Sequence, residues 1–231
     1  ISLNSINWLR VMGQVSYYVW LTKQFTTPIN VAIPSGNFGN AYSAWFGRSN
    51  GLPISEIFCS TNVNDVLRRF IDGGVLEPLV TEPSVAPSMD IQIPSSLERL
   101  IFDLSTEAKE FYSELQESTK AHLGKKSVET LKSVFSSVTF SDEMIKTRIT
   151  SLHDEFGIIF DPHTVTSVQM ALDNDSSLPT VAVATASPEK FGNVISPLIN
   201  GFTESKIDQK EQYLTLSTEN AAIIEAIKAF I

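Results

Sequence analysis

Residues 29–40 read INVAIPSGNFGN, and the prediction of the fold starts from this segment. Its first five residues, Ile29 to Ile33, form a short and mostly apolar run, which is typical of a strand buried in a parallel sheet. A turn that contains two glycines follows at Ser35 to Asn40, and the sequence after it predicts a helix to about Ser49. The order strand, glycine turn, helix indicates an α/β fold.

The same order recurs on both sides of this stretch. Helical spacing predicts a helix over residues 5–24 with Ser5 as its N-cap. The apolar positions that suggest it are Ile6, Leu9, Gly13, Tyr17, Trp20 and Leu21. A second strand is predicted at Glu56 to Ser60, followed by a helix that Asn64 caps and that ends at Gly73-Gly74. This rhythm implies parallel strands joined by right-handed crossovers.

The last third of the chain returns to alternating strands and helices. Asp161-Pro162 predicts the start of a helix that ends near Asn174, because Asp is a good N-cap and Pro fits the first helical turn. Residues 180–185 read TVAVAT and form the most apolar strand candidate, and a helix is predicted from Pro188 to about Asn200. A final strand at 213–216 and a helix over 219–230, capped by Thr218, complete the prediction.

The middle of the chain has a different character. Residues 95–154 show charged, helical periodicity with polar joints at 118–127 and 136–141, which predicts three or four helices inserted as a small subdomain. Its apolar positions are Leu97, Leu100, Ile101, Leu104, Phe111 and Leu115. The expected division is an α/β domain over 1–94, a helical insertion over 95–154, and the rest of the α/β domain with a C-terminal helix over 155–231.

The composition argues against several classes of partner. The 231 residues carry a net charge of −9, so no basic stripe is present to bind a nucleic-acid backbone. No stretch approaches the length of a membrane span and no signal peptide is visible. Cys59, the single cysteine, is expected to be a buried strand residue and fits a cytoplasmic compartment. The scattered histidines, His122, His153 and His163, have no zinc-ligand spacing.

The turn at Ser35 to Asn40 has the features of an anion site. Glycines let the backbone turn tightly and let a ligand approach the main chain, and the free N–H groups at the start of a helix point their positive ends at one spot. The alternative is a tight turn whose glycines serve only geometry. The pattern of residues alone leaves both interpretations open.

Several motifs give the sequence a family resemblance. Residues 34–40 (PSGNFGN) resemble the phosphate-binding loop of threonine synthases. Other segments are similar to elements of that family in the same order: 4–10 (NSINWLR), 60–65 (STNVND), 87–91 (PSMDI), 95–100 (SSLERL), 161–164 (DPHT) and 184–191 (ATASPEKF). Because the matches are collinear, the chain resembles the C-terminal portion of a threonine synthase, a pyridoxal 5'-phosphate (PLP) enzyme of fold type II, the tryptophan-synthase-beta-like fold.

The resemblance assigns cofactor-binding roles. The phosphate of PLP would be bound, mainly through backbone N–H groups, by Gly36, Asn37, Phe38, Gly39 and Asn40. Thr185 looks like the family's hydroxyl that meets the pyridine nitrogen of PLP. Its alternative role is that of a strand threonine whose hydroxyl bonds a neighbouring backbone group.

The resemblance also assigns substrate-binding residues near the start of the first helix. They are Asn4, Ser5, Asn7 and Arg10. Arg10 would pair with a substrate phosphate or carboxylate, and its alternative role is that of a solvated charge. The alternative for Ser5 is helix capping. For His163 we expect only packing of a helix N-terminus near the sheet.

The Schiff-base lysine of the family has no counterpart in this sequence. None of the lysines, from Lys23 to Lys228, lies in the family's Asn-Pro-Thr-x-Ala-Phe-Lys-Asp context, and Lys190 belongs to another motif. The chain also opens with Ile1 rather than Met. We therefore expect a piece of a longer protein that is inactive alone and pairs with a missing N-terminal part.

The resemblance implies that the intact enzyme converts O-phospho-L-homoserine and water to L-threonine and phosphate, a step of threonine biosynthesis. Two alternatives remain. One is a threonine-synthase-like phospholyase, which eliminates phosphate but makes little threonine. The other is a non-catalytic fragment that binds PLP or another anion.

Overall fold

The computed structural model describes residues 7–203 and shows an α/β fold built on a parallel sheet. The strands are β1 (Ile29–Pro34), β2 (Ile54–Thr61), β3 (Val75–Leu76), β4 (Ala121–His122), β5 (Phe135–Thr139) and β6 (Thr180–Ala182). The main sheet has the order β5-β2-β1-β6, and each neighbouring pair in it is parallel. Parallel strands near 29–33, 56–60 and 180–185 are thus confirmed, although the last strand ends at Ala182.

Helices connect these strands. They are α1 (Trp8–Thr22), α2 (Gly39–Ser49), α3 (Val66–Gly73), α4 (Leu97–Leu104), α5 (Ala108–Ser118), α6 (Lys125–Lys132), α7 (Asp142–Phe156), α8 (Thr164–Leu172) and α9 (Gly192–Ile195). Short 3-10 turns lie at Pro87–Met89 and Pro188–Phe191. The helix predicted from Pro188 to Asn200 is therefore a 3-10 turn followed by the short α9.

The sheet is covered on both faces. All residues of β1 are buried, because successive side chains alternate between two helical layers. Ala32 of β1 packs with Phe58 of β2 and Met170 of α8. Val31 and Ile33 instead belong to the larger core that includes residues of α1 and α2. The apolar run that indicated a parallel strand is thus buried from two sides.

The first helix has the predicted period but buries another face. Its buried residues are Val11, Val15, Tyr18 and Thr22. Leu9 and Trp20, two of the apolar positions that indicated the helix, are 76% and 64% exposed. The periodicity indicated the helix but not its buried face, because α1 is apolar around most of its circumference.

The segment 95–154 contains the four helices α4 to α7, but it is not purely helical. The stretch taken for a polar joint at 136–141 largely forms β5, which pairs in parallel with β2 from Ile57↔Phe135 to Thr61↔Thr139. Serine and threonine in this strand hid it, and they are tolerated because β5, among residues 7–203, pairs with β2 on one side only. Residues 135–139 of the expected insertion thus belong to the main sheet. The domain boundaries at 94/95 and 154/155 stay a prediction.

Two predicted caps are wrong and one is confirmed. Asn7, not Ser5, caps α1, because its side chain accepts the N–H of Leu9. Asn64 does not cap α3, whose preceding residue is Asp65. Asp161 does cap the first turn of α8, since its Oδ1 accepts the N–H of Thr164.

Some predictions lie outside the described residues. They are the strand at 213–216, Thr218 and the helix over 219–230. Within residues 7–203, no helix has both the length and the apolar character needed to cross a membrane.

Candidate functional site

The glycine loop lies where the central strand β1 ends. The backbone leaves β1 at Pro34, and the N–H of Ser35 donates to the carbonyl of Ser60 at 2.9 Å before the chain enters α2 at Gly39. The segments that follow β2 and β6 emerge at the same edge, because all three strands are parallel. The carboxyl edge of an open parallel sheet is where α/β proteins bind ligands.

The loop presents a run of unpaired main-chain donors. Within the described part of the chain, none of the N–H groups of residues 36–41 donates to a backbone or side-chain acceptor. The first helical bond of α2 runs from the N–H of Tyr42 to the carbonyl of Phe38 at 2.8 Å. Consecutive free N–H groups at a helix N-terminus form a concave site for an anion, and the helix dipole adds to it.

The left-handed residue of the loop is Phe38, not a glycine. Phe38 has φ of 64°, whereas Gly39 is the first residue of α2 and is not at positive φ. Left-handed backbone in a bulky residue costs about 1–3 kcal/mol and is concentrated at functional sites. The side chain of Phe38 is only 2% exposed, and its ring lies 5.5 Å from that of Phe135, so core packing stabilises this conformation.

Gly36 is required by close packing. A Cβ atom at this position would lie 2.5 Å from the carbonyl oxygen of Ser88 and 3.1 Å from Cα of Met89. The 3-10 turn Pro87–Met89 therefore lies directly against the loop. Any side chain at Gly36 would separate the two segments.

The two asparagines of the loop have separate structural roles. The carbonyl of Asn37 accepts the N–H of Ser96 at 3.0 Å, and its side-chain oxygen accepts the hydroxyl of Ser95 at 3.3 Å, so Asn37 joins the loop to the start of α4. The side-chain oxygen of Asn40 accepts the hydroxyls of Tyr17 and Tyr18 at 2.5 and 2.6 Å. The amide group of Asn40 is thereby oriented by α1.

These tyrosines stay protonated at neutral pH. Burial raises the pKa of Tyr17 to about 12, even though its hydrogen bonds with Tyr18 and Asn40 and the charge of Arg10 lower that pKa. Burial also raises the pKa of Tyr18, which has no exposed surface. Both hydroxyls therefore donate to Asn40.

A cleft of about 600 Å³ brings the loop together with residues from distant parts of the chain. Its lining includes residues 34–40 together with Arg10 and Thr185, which the sequence assigned to the same site. It also includes residues that the sequence reasoning missed, namely Gln14, Tyr17 and Ser88. Gln14 and Tyr17 follow Arg10 at helical spacing and therefore lie on the same face of α1. This spacing was the signal in the sequence that could have indicated them.

The remaining predicted site residues lie elsewhere or are not described. Asn7 caps α1 and is not among the described residues that line the cleft. Asn4 and Ser5 lie outside the described residues. Whether any of the three contacts a substrate stays a prediction.

Thr185 lies beyond the end of β6 and is exposed at the cleft. Its main-chain N–H donates to the hydroxyl of Thr164 at 3.1 Å, which fixes its backbone. In the described part of the chain no hydrogen bond is formed by its own hydroxyl. The alternative role as a strand threonine that bonds a neighbouring backbone group therefore does not hold.

The motif that follows β2 has a structural role. Asn62 and Asn64, which follow β2, both donate to Asp90, at 2.6 and 3.1 Å. Asp90 in turn accepts the N–H and the hydroxyl of Ser84. This buried polar cluster holds the long segment between β3 and α4, and with it the turn that packs on Gly36.

The site suits an organic phosphate better than a metal ion. Among residues 7–203 there is no group of three or more His, Cys, Asp and Glu side chains that could hold a metal. The donors at the loop are N–H groups, which bind anions. The free N–H groups of residues 36–41 are compatible with an organic phosphate such as that of PLP.

Comparisons with known proteins point to the same family as the sequence motifs do. The chain is 33% identical to the threonine synthase of Pseudomonas aeruginosa over 96% of its own length and 51% of that protein. It is 31% identical to human threonine synthase-like 1, over 98% of this chain and 33% of that protein. The structure matches a PLP-bound threonine synthase from Brucella melitensis with a TM-score of 0.87 at 28% identity, over 98% of this chain and 52% of that one.

The chain spans about half the length of the threonine synthases that it matches. No family model matches the sequence.

Proposed function

We propose that this chain is the C-terminal portion of a threonine synthase family member and that it supplies the PLP phosphate site of that enzyme, because it is similar to threonine synthases over nearly its whole length. The complete protein would convert O-phospho-L-homoserine and water to L-threonine and phosphate. The observation that carries the proposal is the run of free main-chain N–H groups at residues 36–41, at the start of α2 and beside Thr185.

The loop residues bind and orient the cofactor. A phosphate that accepts hydrogen bonds from several main-chain N–H groups is bound strongly, because these bonds are charge-assisted. The donors belong to the main chain and not to side chains. The left-handed Phe38 turns the consecutive N–H groups toward one point, and its buried ring anchors that turn in the core. Asn40, oriented by Tyr17 and Tyr18, presents its NH₂ group away from the tyrosines and adds a donor.

Thr185 and Arg10 act on the rest of the bound molecules. When PLP is bound it supplies an electron sink for carbanions next to its ring. The neutral hydroxyl of Thr185 donates to the ring nitrogen without protonating it fully, which moderates that sink. Arg10 on α1 lines the same cleft and is placed to bind the phosphate or carboxylate of the substrate.

The lysine that bonds PLP covalently is proposed to lie outside this chain. No lysine is among the described residues that line the cleft. None of the lysines of the sequence has the context of the family's Schiff-base lysine. We therefore propose that residues N-terminal to this chain in the complete protein complete the site, and that the chain alone is inactive. A non-catalytic fragment that binds PLP or a similar anion is the corresponding alternative for the chain by itself.

A phospholyase is the second candidate for the complete protein. The relatives of the chain include threonine synthases and a protein named only as threonine synthase-like, at 33% and 31% identity, so their names do not decide between the two reactions. The residues of the cleft bind the cofactor in either case, so they do not distinguish water addition from elimination alone.

We further propose a cytoplasmic location, which the single buried cysteine fits.

Product analysis tests the proposal. The complete polypeptide is incubated with PLP and O-phospho-L-homoserine, and phosphate and threonine are both quantified. We expect equal amounts of the two products. Phosphate with little threonine would support the phospholyase, and neither product would contradict both enzymatic assignments.

A further inference from the structure

A buried histidine connects α8 to the wall of the cleft. His163 is 2% exposed and precedes α8 directly. Its Nε2 accepts the main-chain N–H of Ser88 at 3.1 Å, and its Nδ1 lies 2.9 Å from Oδ1 of Asp161. A main-chain N–H can only donate, so Nε2 must be the acceptor and the ring proton must be on Nδ1. The geometry thus requires a neutral imidazole with one defined tautomer.

The ring is fixed at its base. Asp161 is 1% exposed, and its Oδ1 also accepts the main-chain N–H groups of His163 and Thr164 at 2.9 and 3.3 Å. The ring of Phe191 lies 4.8 Å from the imidazole. Because both neighbours hold the ring, its Nε2 has a fixed position relative to α8.

The other partner of this hydrogen bond belongs to the cleft. Ser88 lies in the 3-10 turn Pro87–Met89 and lines the cleft beside the loop. Its carbonyl oxygen is the atom that a side chain at Gly36 would meet. The turn is therefore held between His163 on one side and the glycine loop on the other.

We propose that His163 is a positioning residue: it holds the turn Pro87–Met89 against Gly36 and so keeps the N–H groups of the phosphate loop in their binding geometry. This role rests on the proposed function only in naming PLP as the ligand. The arrangement of the loop itself is a property of the folded protein and can be measured without PLP.

Two substitutions separate the hydrogen bond from the packing. His163→Phe keeps a ring beside Phe191 but removes the acceptor for Ser88. His163→Gln has a side-chain oxygen that can accept the same N–H. His153→Gln is the matched control, because His153 lies on α7 and is 35% exposed at its side chain. All variants are made in the complete polypeptide that contains this chain.

The first measurement uses nuclear magnetic resonance without ligand. An N–H···N hydrogen bond transmits a scalar coupling between its two nitrogens, so a coupling between the Ser88 amide and His163 Nε2 is expected. We also expect His163→Phe to displace the amide resonances of Gly36 and Asn37, with His163→Gln restoring them toward the wild-type positions. Absence of the coupling, or loop resonances unmoved in His163→Phe, would overturn the proposal.

The second measurement is the affinity for PLP. Loss of the acceptor leaves a donor unpaired, and we expect His163→Phe to weaken PLP binding about tenfold. We expect His163→Gln to stay within about threefold of wild type and His153→Gln to be unchanged. If His163→Phe fails to fold, the coupling in the wild type and the Gln variant still decide. A wild-type protein that shows the coupling but binds no PLP would contradict the proposed function. The positioning role would then be decided by whether the loop resonances move in His163→Phe.

Discussion

The carbonyl oxygen of Ser88 lies 2.5 Å from the position that a Cβ atom on Gly36 would occupy. Two segments that are far apart in the sequence thus meet with no side chain between them. The contact closes one side of the cleft that also contains Thr185 and Arg10. Because the two segments are so close, adding a single methyl group at Gly36 is a sensitive test of this contact.

Gly36→Ala tests this contact. The added methyl group must displace the turn or the loop, so we expect PLP affinity to fall at least about tenfold and the unfolding free energy to fall by about 1–3 kcal/mol. Spectroscopic titration and chemical denaturation measure the two effects. Gly13→Ala is the control, because a Cβ there meets nothing within 4 Å. A Gly36→Ala variant that binds PLP as the Gly13→Ala variant does would refute the close packing.

Gly39→Val tests the phosphate loop at the first residue of α2. The branched side chain would crowd the free N–H groups of the loop, and valine is also a poorer helix residue. We expect the affinity for PLP or inorganic phosphate to fall by roughly tenfold or more. Isothermal titration of the complete protein measures it, with Gly13→Val as the control for the change in helix propensity. Unchanged phosphate affinity would mean that the anion binds elsewhere.

Thr185→Ala separates turnover from cofactor binding. The loop carries most of the affinity for PLP, whereas the hydroxyl of Thr185 acts on the ring nitrogen. We therefore expect turnover to slow by about tenfold or more while PLP affinity changes by less than about threefold. Thr185→Ser should recover most of the rate, because it keeps the hydroxyl. A large loss of PLP affinity in Thr185→Ala would contradict this division of roles.

The chain of residues 1–231 by itself should be inactive. We expect it to release no phosphate from O-phospho-L-homoserine and to retain no PLP after borohydride reduction. The exposed Leu9 and Trp20 on α1 lead us to expect poor solubility as well. The complete polypeptide is the positive control. Turnover by the isolated chain that is lost when one of its own lysines is replaced would show that the covalent lysine lies within it.

Cys59 should be unreactive in the folded protein. It is completely buried in β2, and burial raises the pKa of its thiol to about 12, although a hydrogen bond from Ser35 lowers it. Only the thiolate attacks thiol reagents, so at pH 8 labelling should proceed at the rate of unfolding. The raised pKa of the buried thiol contributes to the stability of the folded protein. This contribution is fully present below the ordinary pKa of cysteine and is lost as the pH rises toward 12. Rapid labelling in the absence of denaturant would contradict the burial.

The phosphate loop was predictable from the sequence, but its conformation was not. Glycines at 36 and 39 indicated a tight approach of the backbone to an anion. The sequence could not show that Phe38 adopts the left-handed conformation, because this is stabilised by burial against Phe135, a residue of an unpredicted strand. Likewise, the motifs around Asn62 and His163 were visible as patterns, but their partners Asp90 and Ser88 lie in another segment.

Local chemistry accounts for several elements that were predicted correctly. The apolar runs at 29–33 and 56–60, the glycine turn and the Asp161 cap each follow from the preferences of neighbouring residues. Contacts made on folding select which face of α1 is buried, bring residues 135–139 into the sheet, and place Arg10, the loop and Thr185 in one cleft. These outcomes depend on contacts between residues that are distant in the sequence. Helix α1 is apolar on most of its surface and β5 is polar, so neither carries a local signal that predicts its packing.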